Sequence, residues 1–363
     1  MSGQGWPYLL VPFIPLAILL EFVLHAAPTI IFICAALGVI PTAALMGRAT
    51  EELANRSGPA VGGLLNVTFG NAPELIIALF ALAAGLHEVV KASLIGSILG
   101  NILLVMGISM LAGGARRNVQ VFNSTAASAQ ASMLLLAAVA LVMPTMFQLV
   151  GGGGLPQVGE NRREFSGELE RMSFAVAVVL LLSYAGGILF TLRSHLHLFN
   201  HEEHEEEVGH TWSVRTSMLT LAGAGIAVGL MSEILVGSIE AASEGIGISE
   251  FFIGLIVVAI VGNAAEHWVA VYFAIRDRMG LSVNIAVGSS AQIALFVAPV
   301  LVIASFVLGP GPMPLVFSGY ELGAVVLALL IANLVIADGE STWFEGLQLL
   351  AVYAVLGIVF FFA

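Results

Sequence analysis

The chain has 363 residues, 59% of them hydrophobic and only 10% charged, with a mean hydropathy of +1.01. Soluble domains carry about 25% charged residues, so the composition argues against a soluble domain and for a polytopic membrane protein. A formal net charge of −12 without a basic patch excludes nucleic acid as a partner, and the single cysteine, Cys34, excludes a disulfide within the chain.

About 20 apolar residues cross a bilayer as a helix, and that length gives eleven candidate spans at roughly 7–24, 28–47, 60–85, 91–112, 125–149, 171–192, 216–242, 250–275, 282–308, 319–337 and 343–362. Met1 to Tyr8 holds no Lys or Arg, so the positively charged start of a signal peptide is missing and the first span reads as a retained helix. Glycine is abundant, at 40 residues, as expected where membrane helices approach closely or break. No segment alternates as a β-barrel strand does. The expected fold is an all-α polytopic membrane protein.

Two polar stretches interrupt the apolar spans. Gly151 to Arg171 is a Gly-rich loop followed by mixed charge. His195 to His210 holds Glu202, Glu203, Glu205, Glu206 and Glu207 among five histidines, and it separates six spans from five. This acidic stretch reads either as a solvated loop or as an ion-attracting, regulatory segment. With the N-terminus in the cytoplasm, Arg48, Arg56, Arg116, Arg117, Arg193, Arg215, Arg276 and Arg278 lie inside, and Lys91, Arg162, Arg163 and Arg171 outside. Eight against four favours that orientation and, with eleven spans, a C-terminus outside.

Within the third and eighth spans lie near-copies of one pentapeptide, Gly70-Asn71-Ala72-Pro73-Glu74 and Gly262-Asn263-Ala264-Ala265-Glu266, offset by 262 − 70 = 192 residues. Gly96-Ser97 falls on Gly288-Ser289 at the same offset, and a carboxamide follows each pair, Asn101 in one half and Gln292 in the other. The chain therefore divides into a peripheral first helix (1–27), a five-helix repeat (28–194), the acidic linker (195–215) and a second five-helix repeat (216–363). An odd number of helices per repeat inverts the copies across the membrane and places a site between them at the midplane. Gly70 and Pro73 are expected to interrupt one motif helix and Gly262 the other, with Pro73 freeing backbone carbonyls.

A carboxylate in mid-membrane costs roughly 2.5–3.5 kcal/mol on insertion scales, so Glu74 and Glu266 need a reason to be there. Asn71 and Glu74 are three residues apart, as are Asn263 and Glu266, so each pair shares a helix face. Facing each other, they form a set of hard oxygen donors suited to calcium, to which Ser97 and Ser289 add hydroxyls; no cysteine is near enough for a soft metal. Two close carboxylates in apolar surroundings also resist double ionisation, which favours protons as the competing ligand. Either load neutralises the site and the empty site stays charged, which is the asymmetry that obligatory exchange requires.

The run Leu64-Leu65-Asn66-Val67-Thr68-Phe69-Gly70-Asn71-Ala72-Pro73-Glu74-Leu75 resembles the first signature of the calcium/proton antiporters, the cation-exchanger family. Ile260-Val261-Gly262-Asn263-Ala264-Ala265-Glu266-His267 resembles the second. The resemblance covers nearly the whole chain. It implies a secondary transporter exchanging cytosolic Ca2+ for H+ by alternating access, with Glu74 and Glu266 binding both ions. It further implies Asn71 and Asn263 in support, Gln292 lining the pore and Glu233 lining the cytosolic approach. An acid often found four residues after that Glu is replaced here by Gly237. Glu51, which aligns with Glu240 across a three-residue gap, is a further pathway candidate with Glu240 itself, and His267 reads either as a proton relay or as a packed neutral imidazole.

Three alternatives stand beside this reading. A Na+/Ca2+ exchanger of the same superfamily favours hydroxyls in place of Asn71 and Asn263. An intramembrane dicarboxylate enzyme acting on lipid phosphate needs Arg or Lys beside the acids, and none lies in either motif core. A channel needs a continuous conductive ring rather than duplicated single acids. The expected partners are Ca2+, H+ and the lipid bilayer, with no cofactor and with homo-oligomerisation left open. A prokaryotic plasma membrane is the expected location.

Overall fold

The computed structural model describes residues 5–158, 166–190 and 212–363. The acidic stretch from Glu202 to Glu207 lies outside them. Among the described residues ten helices are long and apolar enough to cross a membrane. In chain order the helices are α1 (Trp6–Leu24), α2 (Pro28–Arg56), α3 (Gly58–Phe69), α4 (Ala72–Ala83), α5 (His87–Gly114), α6 (Ser124–Val150), α7 (Gly167–Leu189), α8 (Val214–Gly237), α9 (Ile239–Ile246), α10 (Glu250–Ile275), α11 (Met279–Ala304), α12 (Gly319–Ile336) and α13 (Trp343–Phe362).

Local chemistry explains six of the thirteen helix starts. Pro28 opens α2 at a position where a missing N–H costs nothing. Ser166, Ser213 and Ser249 cap α7, α8 and α10 by accepting from the N–H groups of Leu169, Thr216 and Phe252. α12 and α13 begin with complete capping boxes, Ser318 with Glu321 and Thr342 with Glu345. These devices satisfy donors that lipid would leave stranded.

The span at 60–85 is interrupted at Gly70 as expected, and the interruption parts it into two short helices, α3 and α4, separated by Gly70 and Asn71. Pro73 does not weaken a helix interior as expected, because it stands in the first turn of α4. Nor does Gly262 interrupt α10, which is regular from Ala259 to Ile275; the irregularity lies one turn earlier, as a π-helical stretch Ile253–Val258. Matching π stretches occur in α5 (Gly100–Val105) and α11 (Ile293–Val297).

α5 and α11 form the centre. In their most apolar windows 83% and 72% of residues are buried, against 11% for α1 and 17% for α13, which are therefore the lipid-facing periphery. α2 and α8 pack along each other, and α10 packs against α5, α2 and α11. Gly96 of α5 lies directly on the carbonyl of Leu255 in α10, and a Cβ on Gly254 would stand 2.8 Å from the carbonyl oxygen of Val89. The two helices cross at glycines because no side chain fits between the backbones. Outside the helices, Gln120–Val121 and Glu340–Ser341 form a two-residue antiparallel pairing that joins the loop after α5 to the loop before α13.

Candidate functional site

The break between α3 and α4 gives the first motif its geometry. Asn71 occupies the N-cap of α4, where an asparagine side chain ordinarily accepts from the backbone N–H groups of the first turn. Here it makes no such bond. Its Nδ2 donates instead to Gln292 Oε1 on α11 at 2.6 Å, and its Oδ1 is buried with no partner among the described residues. Glu74 follows as an acid in the first turn of α4, at the end of the helix that favours negative charge.

The second motif lies inside a continuous helix, which keeps Asn263 and Glu266 on one face while their polar atoms reach different neighbours. Asn263 Nδ2 donates to Ser97 Oγ on α5 at 3.1 Å and to the carbonyl of Ala259 at 2.9 Å. Its Oδ1, like that of Asn71, is buried without a partner among the described residues. Glu266 accepts a 2.8 Å hydrogen bond from Ser289 Oγ on α11.

The two motifs cross. A Cβ on Gly70 would stand 3.8 Å from both Glu266 Oε1 and Gln292 Oε1, and a Cβ on Gly262 would stand 3.2 Å from Glu74 Cγ. Each motif's glycine thus faces the other motif's glutamate. A small cavity beside Glu74, lined in part by Ser93, Ser97, Val258 and Ile293, has room for about one water. Chemically this is a cluster of two carboxylates, two carboxamide oxygens without donors and three hydroxyls. Among the described residues no group of three His, Cys, Asp or Glu is placed to hold a metal ion, so further ligands for a cation come from amides, hydroxyls, carbonyls or water.

Glu74, Glu266, Asn71, Asn263, Gln292, Ser97 and Ser289 are therefore brought together. Asn101 is not: although it was paired with Gln292 by position, it accepts no bond from either motif asparagine and meets His267 Nε2 at 3.0 Å. Glu51, Glu233 and Glu240 are exposed near the ends of α2, near the end of α8 and at the start of α9. Sequence reasoning missed Ser93, whose apolar context gives no signal. It also missed the Arg117 and Gln120 side chains, which hold the end of α10 through the carbonyls of Ile275 and Ala274 and through Asp277.

The family of the sodium/calcium exchanger protein matches residues 27–193 and 216–362. A Ca(2+)/H(+) antiporter of Aphanothece halophytica is 44% identical, the match covering 96% of this chain and 94% of that one. The Ca(2+)/H(+) antiporter ChaA of Bacillus subtilis is 43% identical, with 96% of each chain covered. The solved structure of native YfkE superimposes with a TM-score of 0.83 at 39% identity, over 98% of this chain and 100% of that one.

Proposed function

Since the chain belongs to the sodium/calcium exchanger protein family, with relatives over nearly its full length that are Ca2+/H+ antiporters, we propose that Glu74 and Glu266 are the two carboxylates through which it exchanges Ca2+ for H+. It is a multi-pass membrane transporter, not an enzyme. The observation that supports this assignment is the crossing of the motifs, each glutamate facing the other motif's glycine. The same crossing leaves Asn71 Oδ1 and Asn263 Oδ1 without donors beside the pair. A carboxamide oxygen buried without a hydrogen bond is costly unless a cation takes it up.

A dication between the two carboxylates neutralises both charges and accepts the free amide oxygens as ligands. Two protons neutralise the same charges but leave the amide oxygens to water. Both loads suit an apolar surround and the empty, doubly charged site does not, so transit without a load is disfavoured. Exchange follows because each ion must leave before the other can occupy the same oxygens. The two family-matched stretches support the division into repeats at 28–194 and 216–363. The bacterial relatives support a plasma membrane, and the arginine count supports a cytoplasmic N-terminus.

Labelled calcium uptake into vesicles with an imposed proton gradient tests the reading. Wild-type uptake should follow the gradient. Glu74→Gln and Glu266→Gln should each lower it at least about 100-fold, since each removes one of two charges that hold the cation. Uptake that ignores the proton gradient would overturn the reading, and uptake that follows a sodium gradient instead would favour the sodium-coupled alternative.

A further inference from the structure

α5 and α10 are joined by two polar rungs one helical turn apart. Ser97 and Asn101 project from α5, four residues apart, and Asn263 and His267 from α10 at the same spacing. Ser97 meets Asn263 at 3.1 Å and Asn101 Oδ1 meets His267 Nε2 at 3.0 Å. The first rung belongs to the site described above. The second has had no role assigned to it. Asn101 is 2% exposed, and its Nδ2 has no partner among the described residues, so His267 is the group that holds this amide.

The second rung exists in one half only. Shifted by 192 residues, His267 falls on the apolar Leu75, and Gln292, the carboxamide that answers Asn101 in the other half, accepts from Asn71 instead. The rung is thus no copy of the duplicated ion-binding chemistry and serves α10 alone. Asn101 stands in the π stretch Gly100–Val105, whose altered turn sets the direction of its side chain. His267 directly follows Glu266, about 100° round the helix. Holding the imidazole therefore holds the azimuth of the carboxylate that takes Ser289 and faces Gly70. With side chains reaching about 5–6 Å from a helix axis, a rotation of about 20° would carry that carboxylate about 2 Å, enough to lose both contacts. Such control matters at this point because α10 contains the π stretch Ile253–Val258 just upstream, the kind of irregularity at which helices kink.

We propose that Asn101 is a positioning residue for ion exchange: by holding His267 it fixes the rotation of α10 that aims Glu266 at Gly70 and Ser289. The proposal rests on the reading of Glu266 given above. In vesicle uptake normalised to folded protein, Asn101→Leu should raise the half-saturating calcium concentration roughly tenfold while the maximal rate changes less than about twofold, because a ligand is misplaced rather than removed. His267→Leu should do the same. His267→Gln, whose amide reaches the position of Nε2, should stay near wild type. The double variant Asn101→Leu/His267→Leu should be no worse than either single change, the signature of one shared contact.

A purely structural role would lower the amount of folded protein and leave half-saturation alone. Unchanged half-saturation in Asn101→Leu, additive effects in the double variant, or His267→Gln as impaired as His267→Leu would each overturn the proposal. Calcium titration of the same proteins in detergent keeps the two readings apart. If wild type shows no proton-driven uptake, the exchange reading fails, while a rightward shift of calcium binding in Asn101→Leu still supports the positioning role and its absence still overturns it.

Discussion

At Gly262 a single methyl group is enough to disturb the site. A Cβ there would stand 3.2 Å from Glu74 Cγ and 3.6 Å from Ile77 Cδ1, and of these neighbours the glutamate is the flexible one. Gly262→Ala should therefore leave the fold intact, with thermal stability changed by no more than about 1 kcal/mol. It should raise the half-saturating calcium concentration roughly tenfold by pushing the Glu74 carboxylate off its place. Thermal melts and uptake on the same preparation read both quantities. The acids themselves were legible because a mid-span carboxylate has few structural uses and two matched copies have fewer. Gly70 was legible as a break, whereas Gly262, read the same way, is a close approach, since both call for a residue without a Cβ. In the same way Asn101 and Gln292 look equivalent along the chain, and only the packing of α5 and α11 sends Gln292 to Asn71 and Asn101 to His267.

Helix crossings decide which symmetric positions tolerate change. Gly96 and Gly288 are related by the repeat (288 − 96 = 192) and read alike in the sequence. In the fold Gly96 lies against the backbone of Leu255, which cannot move without separating α5 from α10. The nearest atoms to a Cβ on Gly288 would be those of the Gln130 amide, at 3.4–3.6 Å. Gly96→Ala should destabilise the protein by about 2 kcal/mol or more and prevent the Ser97 to Asn263 bond. Gly288→Ala should be near neutral, with a gain of helix propensity of up to about 1 kcal/mol set against slight crowding. Equal melting shifts for the two variants would contradict this account of the crossing. The positions of most helices were legible from apolar length alone, down to α13 at 343–362. The interruption of 60–85 at Gly70 was legible too, but not that Pro73 opens a separate helix α4, because a proline marks a helix start as readily as a kink and hydropathy is blind to the difference.

Across the whole molecule, each motif helix ends under a loop contributed from elsewhere, and the two loops close those ends differently. α4 ends at Gly85, with φ of 79°, and α10 ends at Asp277, with φ of 65°, again 192 residues apart. An aspartate tolerates this left-handed conformation less well than glycine. Asp277 is held there by the Arg117 guanidinium at 3.3 Å and by Gln120 Nε2 at 2.8 Å. At the corresponding end of α4, Gly309, with φ of 81°, lies against the Leu82 carbonyl. One end is thus closed by charge and hydrogen bonds, and the other by a glycine-rich turn. If the repeats are inverted, these two ends face opposite sides of the membrane. The arginines at 116, 117, 276 and 278 then mark the cytoplasmic side. Cys34 is the one cysteine in the chain, so Cys34→Ala gives a silent background for single reporters. Val119 and Pro310 are exposed in the two loops and take no part in the contacts above. In sealed right-side-out vesicles an impermeant maleimide should label Pro310→Cys and spare Val119→Cys until the membrane is opened. Inside-out vesicles should reverse the pattern. Labelling of both from one side would remove the inversion, and with it the reason for placing Glu74 and Glu266 at a shared midplane. Opposite labelling would leave the carboxylate pair where an alternating-access exchanger needs it, reachable from either side by tilting one repeat against the other.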